Sequence, residues 1–213
     1  MERRPAPALL PILRSAQQAE LLTRILDRPD REESLTDLAR VLNIPAASVH
    51  REVARAEGVG VVKSRRVGAT RLVSANTDSA YFEPLRQLLV MAFGPPEKVR
   101  QALAEVPGVT GVYLYGSWAA RHAGEVGTRP VGDLDLLVLG APDIEAVYKA
   151  LGPIEAVLGR TIQVSVQPPD WLERGEGSFH DTVVSRPLIC VLGPGGPQER
   201  KASAARTALS ATS

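Results

Sequence analysis

The sequence predicts an α+β protein built from two small domains, and three observations predict it. Three segments with apolar residues at helical spacing run into two β-rich segments joined by a glycine, all ahead of Asn76. The chain is then broken by Gly94-Pro95-Pro96. Beyond that break strands and helices alternate, and one strand places Gly132-Asp133-Leu134-Asp135 at the head of the aliphatic run Leu136-Leu137-Val138-Leu139. A chain of 213 residues with 44% hydrophobic and 23% charged residues can bury two such cores.

The elements follow in order. Ala16, Ala19, Leu22, Ile25 and Leu26 recur at helical spacing until Pro29 stops them. Ser34-Leu35-Thr36-Asp37 opens a short second helix through Leu42, with Ser34 or Thr36 as N-cap, and Asn43 ends it. Pro45 suits the first turn of a third helix with Val49, Val53 and Ala56 inward, and Gly58 suits its left-handed C-terminal cap. Val59 to Ser64 and Ala69 to Ser74 form a hairpin around Arg65-Arg66-Val67-Gly68. A helix from about Ala80 to Ala92 links this domain (1–78) across residues 79–94 to the second (95–193).

The second domain reads as a mixed sheet with helices. A helix over Glu97 to Glu105 precedes a strand from Val109 to Tyr115, a short helix from Ser117 and a strand from Asp133 to Leu139. A helix from Asp143 to about Leu158, a strand from Thr161 to Val166 and an apolar piece from Val183 to Leu192 complete it. The Gly-, Pro-, Ala- and Ser-rich tail 194–213 is expected to be mobile, with a marginal helix over Gln198 to Leu209.

Charge and cysteine content narrow the setting. The net charge of +1 hides the cluster Arg51, Arg55, Lys63, Arg65, Arg66 and Arg71, opposed locally by Glu52 and Glu57, a stretch suited to a polyanion. The single Cys190 excludes an intrachain disulfide, reads as a buried thiol, and points to a reducing cytoplasm. Glu2-Arg3-Arg4 and the short, proline-interrupted apolar piece after it do not form a signal peptide, and no segment has the length of a membrane span.

The acidic pair carries the chemistry. Residues i and i+2 of a strand share a face, so Asp133 and Asp135 project together and can share a hard cation such as Mg²⁺, whose remaining ligands are waters and phosphate oxygens. Gly116-Ser117 at a strand end allows close backbone approach to an anion. On the third helix Ser48, Arg51 and Arg55 form a stripe opposite Val49 and Val53, while Arg65, Arg66 and Arg71 line the hairpin. His122 and His180 have no partners at metal-ligand spacing. Trp118 and Trp171 read as packing residues.

Two resemblances join these observations. The order helix, helix, helix, hairpin is that of a winged helix-turn-helix, and the stretch Leu35 to Val53 resembles the helix-turn-helix of bacterial repressors of the arsenic-repressor type. Gly116-Ser117-Trp118-Ala119-Ala120-Arg121 followed by Asp133-Leu134-Asp135 resembles the nucleotidyltransferase superfamily of DNA polymerase β type, in particular small domains fused behind winged helix-turn-helix modules. The resemblance implies that Ser117 contacts terminal phosphates, that Arg121 adds a phosphate contact, and that Asp133 and Asp135 hold Mg²⁺ or Mn²⁺ with a nucleoside triphosphate. It also implies a third carboxylate on the next strand, where this chain has Gln163; Glu155 and Asp170 are the acids near that strand's ends.

The function expected is therefore a homodimeric, double-stranded-DNA-binding regulator that binds nucleotide, with Tyr81, Leu85, Leu88 and Leu89 as dimer residues and Ser48, Arg51, Arg55, Arg65, Arg66 and Arg71 on DNA. The alternative is an active nucleotidyltransferase that moves a nucleoside monophosphate onto protein, RNA or a small molecule. That reading resembles the antitoxin-type members, some of which modify a partner toxin.

Overall fold

The computed structural model describes residues 13–125 and 131–193, so the basic N-terminus and the helix expected over Gln198 to Leu209 lie outside the described residues. The fold is mixed α+β with two small sheets, and the chain divides into two compact units, Met1–Glu97 and Lys98–Ser213. Among the described residues no helix is long and apolar enough to cross a membrane.

The first unit begins with α1 (Ala16–Leu26), where Ser15 caps the helix by accepting the Gln18 N–H. A two-residue strand β1 (Glu33–Ser34) leads into α2 (Leu35–Val41). Ser34, not Thr36, is the cap: its hydroxyl accepts from the Asp37 amide at 3.0 Å and donates to the Asp37 carboxylate at 2.7 Å. Asn43 takes the left-handed conformation, φ 52°, and turns the chain toward α3 (Ala46–Gly58). Val49, Val53 and Ala56 point inward as the spacing requires.

Gly58 does not cap α3. The positive φ falls two residues later at Gly60, φ 74°, because the helix runs through Gly58 and the turn Val59-Gly60 reverses the chain. Val59 is accordingly exposed, and the hairpin starts later than expected, as β2 (Val62–Val67) and β3 (Thr70–Ala75). The sheet order is β1-β3-β2, antiparallel throughout.

The segment expected as a linker is α4 (Phe82–Phe93), and it belongs to the first unit's core. Phe82, Leu89 and Phe93 pack into one cluster with Leu22, Ile25 and Leu26 of α1 and Val73 of β3. Burying a side chain of this size contributes about 2 kcal/mol, so α4 holds the unit together. Leu89 is fully buried and Leu85 packs against the same cluster, which removes both from the expected dimer surface; Tyr81 and Leu88 remain exposed.

The second unit is entered on α5 (Pro95–Leu103), which opens on two prolines where missing N–H groups cost nothing. Strand β4 (Val109–Tyr115) runs into α6 (Gly116–His122), followed by β5 (Asp133–Gly140), α7 (Ile144–Leu158) and β6 (Thr161–Gln167). Two short helices, α8 (Trp171–Arg174) and α9 (Ser178–Val184), precede β7 (Ile189–Leu192). The sheet order is β6-β5-β4-β7, with β5 and β6 parallel and the other pairs antiparallel. Cys190 sits half-buried on the edge strand β7 rather than deep in the core.

Candidate functional site

The central strand β5 has two unlike faces. Leu134, Leu136 and Val138 point to one side and are fully buried. Asp133, Asp135, Leu137 and Leu139 point to the other, and this face changes character along its length. Leu137 and Leu139 lie beneath Trp171 of α8 and Val183 of α9, with Tyr113 and Tyr115 packed alongside. Asp133 and Asp135, at the opposite end, stay half-exposed.

The neighbouring strands complete this surface. In the ladder Tyr115 faces Asp135 across β4 and β5, and Gln163 is the partner of Asp135 on β6, with Thr161 beside Asp133 and Ser165 beside Leu137. Register partners project to the same face, so the position that resemblance assigns to a third carboxylate stands directly beside Asp135 and carries a neutral amide. The acids at the ends of β6 do not replace it. The Glu155 carboxylate accepts the Ile162 amide at 2.7 Å, and Asp170 pairs with Arg174 at 3.6 Å. Among the described residues no group of three or more His, Cys, Asp or Glu side chains is arranged to hold a metal ion.

The turn at Gly116 is fitted to Asp135. Gly116 has φ 71°, and a β-carbon built there would lie 2.0 Å from Asp135 Oδ2, so any side chain would displace the carboxylate. The next amide, Ser117 N–H, donates a hydrogen bond to Asp135. One donor of the turn expected to cradle phosphate is thus engaged by the acid. Ser117 and Arg121 are one turn apart on α6 and share a side of it. Near the start of β5, buried Arg160 donates to the Val131 carbonyl.

Electrostatics set Asp135 apart. Its carboxyl is pushed above the ordinary aspartate range by burial first and by the like charge of Asp133 second, with the Ser117 amide opposing both. Burial and the Asp135 charge also raise the Tyr115 phenol, against a hydrogen bond at 3.2 Å between its hydroxyl and Ser165. To reach Ser165 on β6 from β4, the Tyr115 side chain must cross β5, and it stands where the acidic end meets the α8–α9 cluster. Two oxygen-donor carboxylates on one face, in mutual repulsion and beside a closely approaching backbone, fit a hard divalent cation that draws its other ligands from phosphate and water.

Trp118 and Trp171 are packing residues: Trp118 is buried and stacked on His122 with centroids 5.1 Å apart, and Trp171 belongs to the α8–α9 cluster. His180 lies edge-on to Trp171 at 5.0 Å. Phe179, exposed at the start of α9, was not singled out by sequence reasoning; α8 and α9 are too short to show a period, and its contact with Tyr115 spans distant segments.

In the first unit the candidate DNA-facing residues occupy two elements. On α3, Arg51 and Arg55 are exposed and Ser48 is half-buried. Arg51 donates to the Ser48 hydroxyl at 3.0 Å. The sequence reading missed how these cations are paired: Arg55 binds Glu52 at 2.6 Å, Arg65 binds Glu32, and Arg71 binds Glu57 and the Ser64 hydroxyl. Arg66 is exposed at the hairpin's end. Comparison with family models and with curated proteins gave no match.

Proposed function

We propose that this chain is a DNA-binding regulator whose second unit binds a nucleoside triphosphate with Mg²⁺ or Mn²⁺. The observation that carries the nucleotide reading is the Asp133–Asp135 pair on the open half of a sheet face, with Asp135 so close to the Gly116 turn that a side chain there would displace its carboxylate. The pair would hold the cation, and the cation would offset the charge of the phosphates. Ser117 and Arg121 lie on the same side of α6 as further phosphate partners. With Gln163 in the third position the site lacks the acid that would help activate an attacking hydroxyl, which favours binding over transfer.

The order of α1, α2, α3 and the β2–β3 hairpin supports reading the first unit as a winged helix-turn-helix, with α3 in the major groove and the hairpin on phosphates. The pairing of Arg55, Arg65 and Arg71 is compatible with this. The Arg65–Glu32 pair is exposed on both sides, and such a pair is worth under about 1 kcal/mol, so phosphate can displace that carboxylate.

Calorimetric titration with ATP and Mg²⁺ tests the nucleotide reading. Binding by the wild type that is lost in the Asp133→Asn, Asp135→Asn double variant supports it; equal binding by both overturns it. Label transfer from α-labelled nucleotide to any acceptor, seen with wild type alone, would turn the reading into an active nucleotidyltransferase. Salt-dependent binding to duplex DNA, weakened by Arg51→Ala with Arg66→Ala, is expected of the first unit, and binding no better than that of a neutral control protein removes the regulator.

A further inference from the structure

Where the acidic half of the second unit's sheet face meets the covered half, two aromatic rings form a corner. Tyr115, the register partner of Asp135, lies edge-on to Phe179 with centroids 6.0 Å apart and planes at 76°. Its position is held by the hydrogen bond to Ser165 and by packing against the Trp171–Val183 cluster. Phe179 is backed by Trp171 at 5.4 Å, yet it is 41% exposed while the neighbouring apolar residues Trp171 and Val183 are buried. Backed by Trp171 and with its outer surface in water, Phe179 has an aromatic face to offer to a ligand.

We infer that Phe179 is the stacking surface for the base of the nucleotide whose phosphates and cation sit at Asp133 and Asp135. The inference rests on the nucleotide reading and adds the element that reading lacks, which is what recognises the nucleoside. A flat heterocycle stacked on Phe179 would present one edge to Tyr115, the perpendicular arrangement that aromatic quadrupoles favour. The corner supplies area and few directed hydrogen bonds, so it takes the larger purines in preference to pyrimidines without sharp discrimination between bases.

The test uses the full chain with two ligands in Mg²⁺, ATP and inorganic triphosphate, the second carrying the phosphates without a base. Phe179→Leu keeps apolar volume over Trp171 and removes the aromatic face; Phe179→Trp enlarges that face. ATP affinity is expected to fall about five-fold or more in Phe179→Leu, the loss of one stacked base, and to be kept or raised in Phe179→Trp. Triphosphate affinity is expected to stay unchanged in both. Unchanged ATP affinity in Phe179→Leu, or an equal loss for ATP and triphosphate, overturns the stacking role while leaving the phosphate site standing. If wild type and Asp135→Asn bind neither ligand differently, the nucleotide reading fails and this inference falls with it.

Discussion

The buried cations of the first unit and the Asp133–Asp135 pair of the second arrange charge in opposite ways, and the contrast separates charges that build the fold from charges held ready for a ligand. In the first unit nearly buried cations meet anions: Arg24 grips Glu33 through two nitrogens, at 2.6 and 3.0 Å, Arg28 approaches the same carboxylate at 3.8 Å, and Arg86 pairs with Glu83. Three surface cations near α3 and the hairpin, Arg55, Arg65 and Arg71, are also matched, with Glu52, Glu32 and Glu57. In the second unit two aspartates of like sign share one half-buried face, and burial works against the charge of Asp135. Paired charges lower the energy of the chain alone. A like-charged pair raises it, and is tolerable where a cation completes it.

The largest expected effect breaks the first arrangement. Glu33→Ala removes an anion shared by Arg24 and Arg28, whose side chains are 8% and 5% exposed. Truncating one partner of a buried pair costs about 3 kcal/mol or more, and Glu33→Gln, which keeps one acceptor, should cost less. Both tryptophans, Trp118 and Trp171, lie in the second unit. Denaturant unfolding followed by far-ultraviolet circular dichroism should therefore gain an early phase while the tryptophan fluorescence midpoint stays in place. An unmoved dichroism curve would mean that Glu33 contributes nothing to stability.

A smaller effect of opposite sign is expected at Asp135. Asparagine keeps an oxygen to accept the Ser117 amide and discards the charge that burial and Asp133 oppose. Asp135→Asn should move the tryptophan fluorescence midpoint to higher denaturant, by under about 1 kcal/mol because the group is half in water, while abolishing binding of Mg²⁺ with ATP. Stability gained as binding is lost marks a residue kept for its ligand. A loss of stability would instead assign Asp135 to the fold and end the comparison.

Much of this organisation was legible in the sequence because it has a period. The i, i+2 spacing sets Asp133 and Asp135 on one face, while Gln163 is pointed to by the nucleotidyltransferase resemblance, and the register stands it beside Asp135. Helical spacing found α1 to α3, and Asn43 marked the turn between the last two. What escaped lacks a period or depends on distant partners. A two-residue strand such as β1 and helices as short as α8 and α9 contain too few residues to repeat. The pattern of α4 shows an apolar face without saying what covers it; it points to a dimer surface for Leu85 and Leu89, but the covering partner is their own unit's core. The pairing of Arg65 with Glu32 joins residues 33 apart, and the Phe179–Tyr115 corner joins a short helix to a central strand.

The smallest expected effect sharpens the comparison at the surface, where Glu57 near the end of α3 ties the helix to the hairpin through Ser64 and Arg71. The Ser64 hydroxyl first, with the Arg71 charge adding to it against burial, holds the Glu57 carboxyl below its ordinary value of 4.5. A lowered carboxyl binds its proton less readily in the folded chain than in the unfolded one, so its contribution is complete above that ordinary value and fades as pH falls through the lowered one. Because the carboxylate is 37% exposed, water screens the pair and the contribution is under about 1 kcal/mol. Far-ultraviolet dichroism midpoints for wild type and Glu57→Gln should therefore differ slightly at neutral pH and converge as pH falls below the lowered Glu57 value. A gap that persists into acid would assign the Glu57 contribution to shape and hydrogen bonding rather than charge, and would leave the matched cations of the first unit as neighbours of acids that do not hold them.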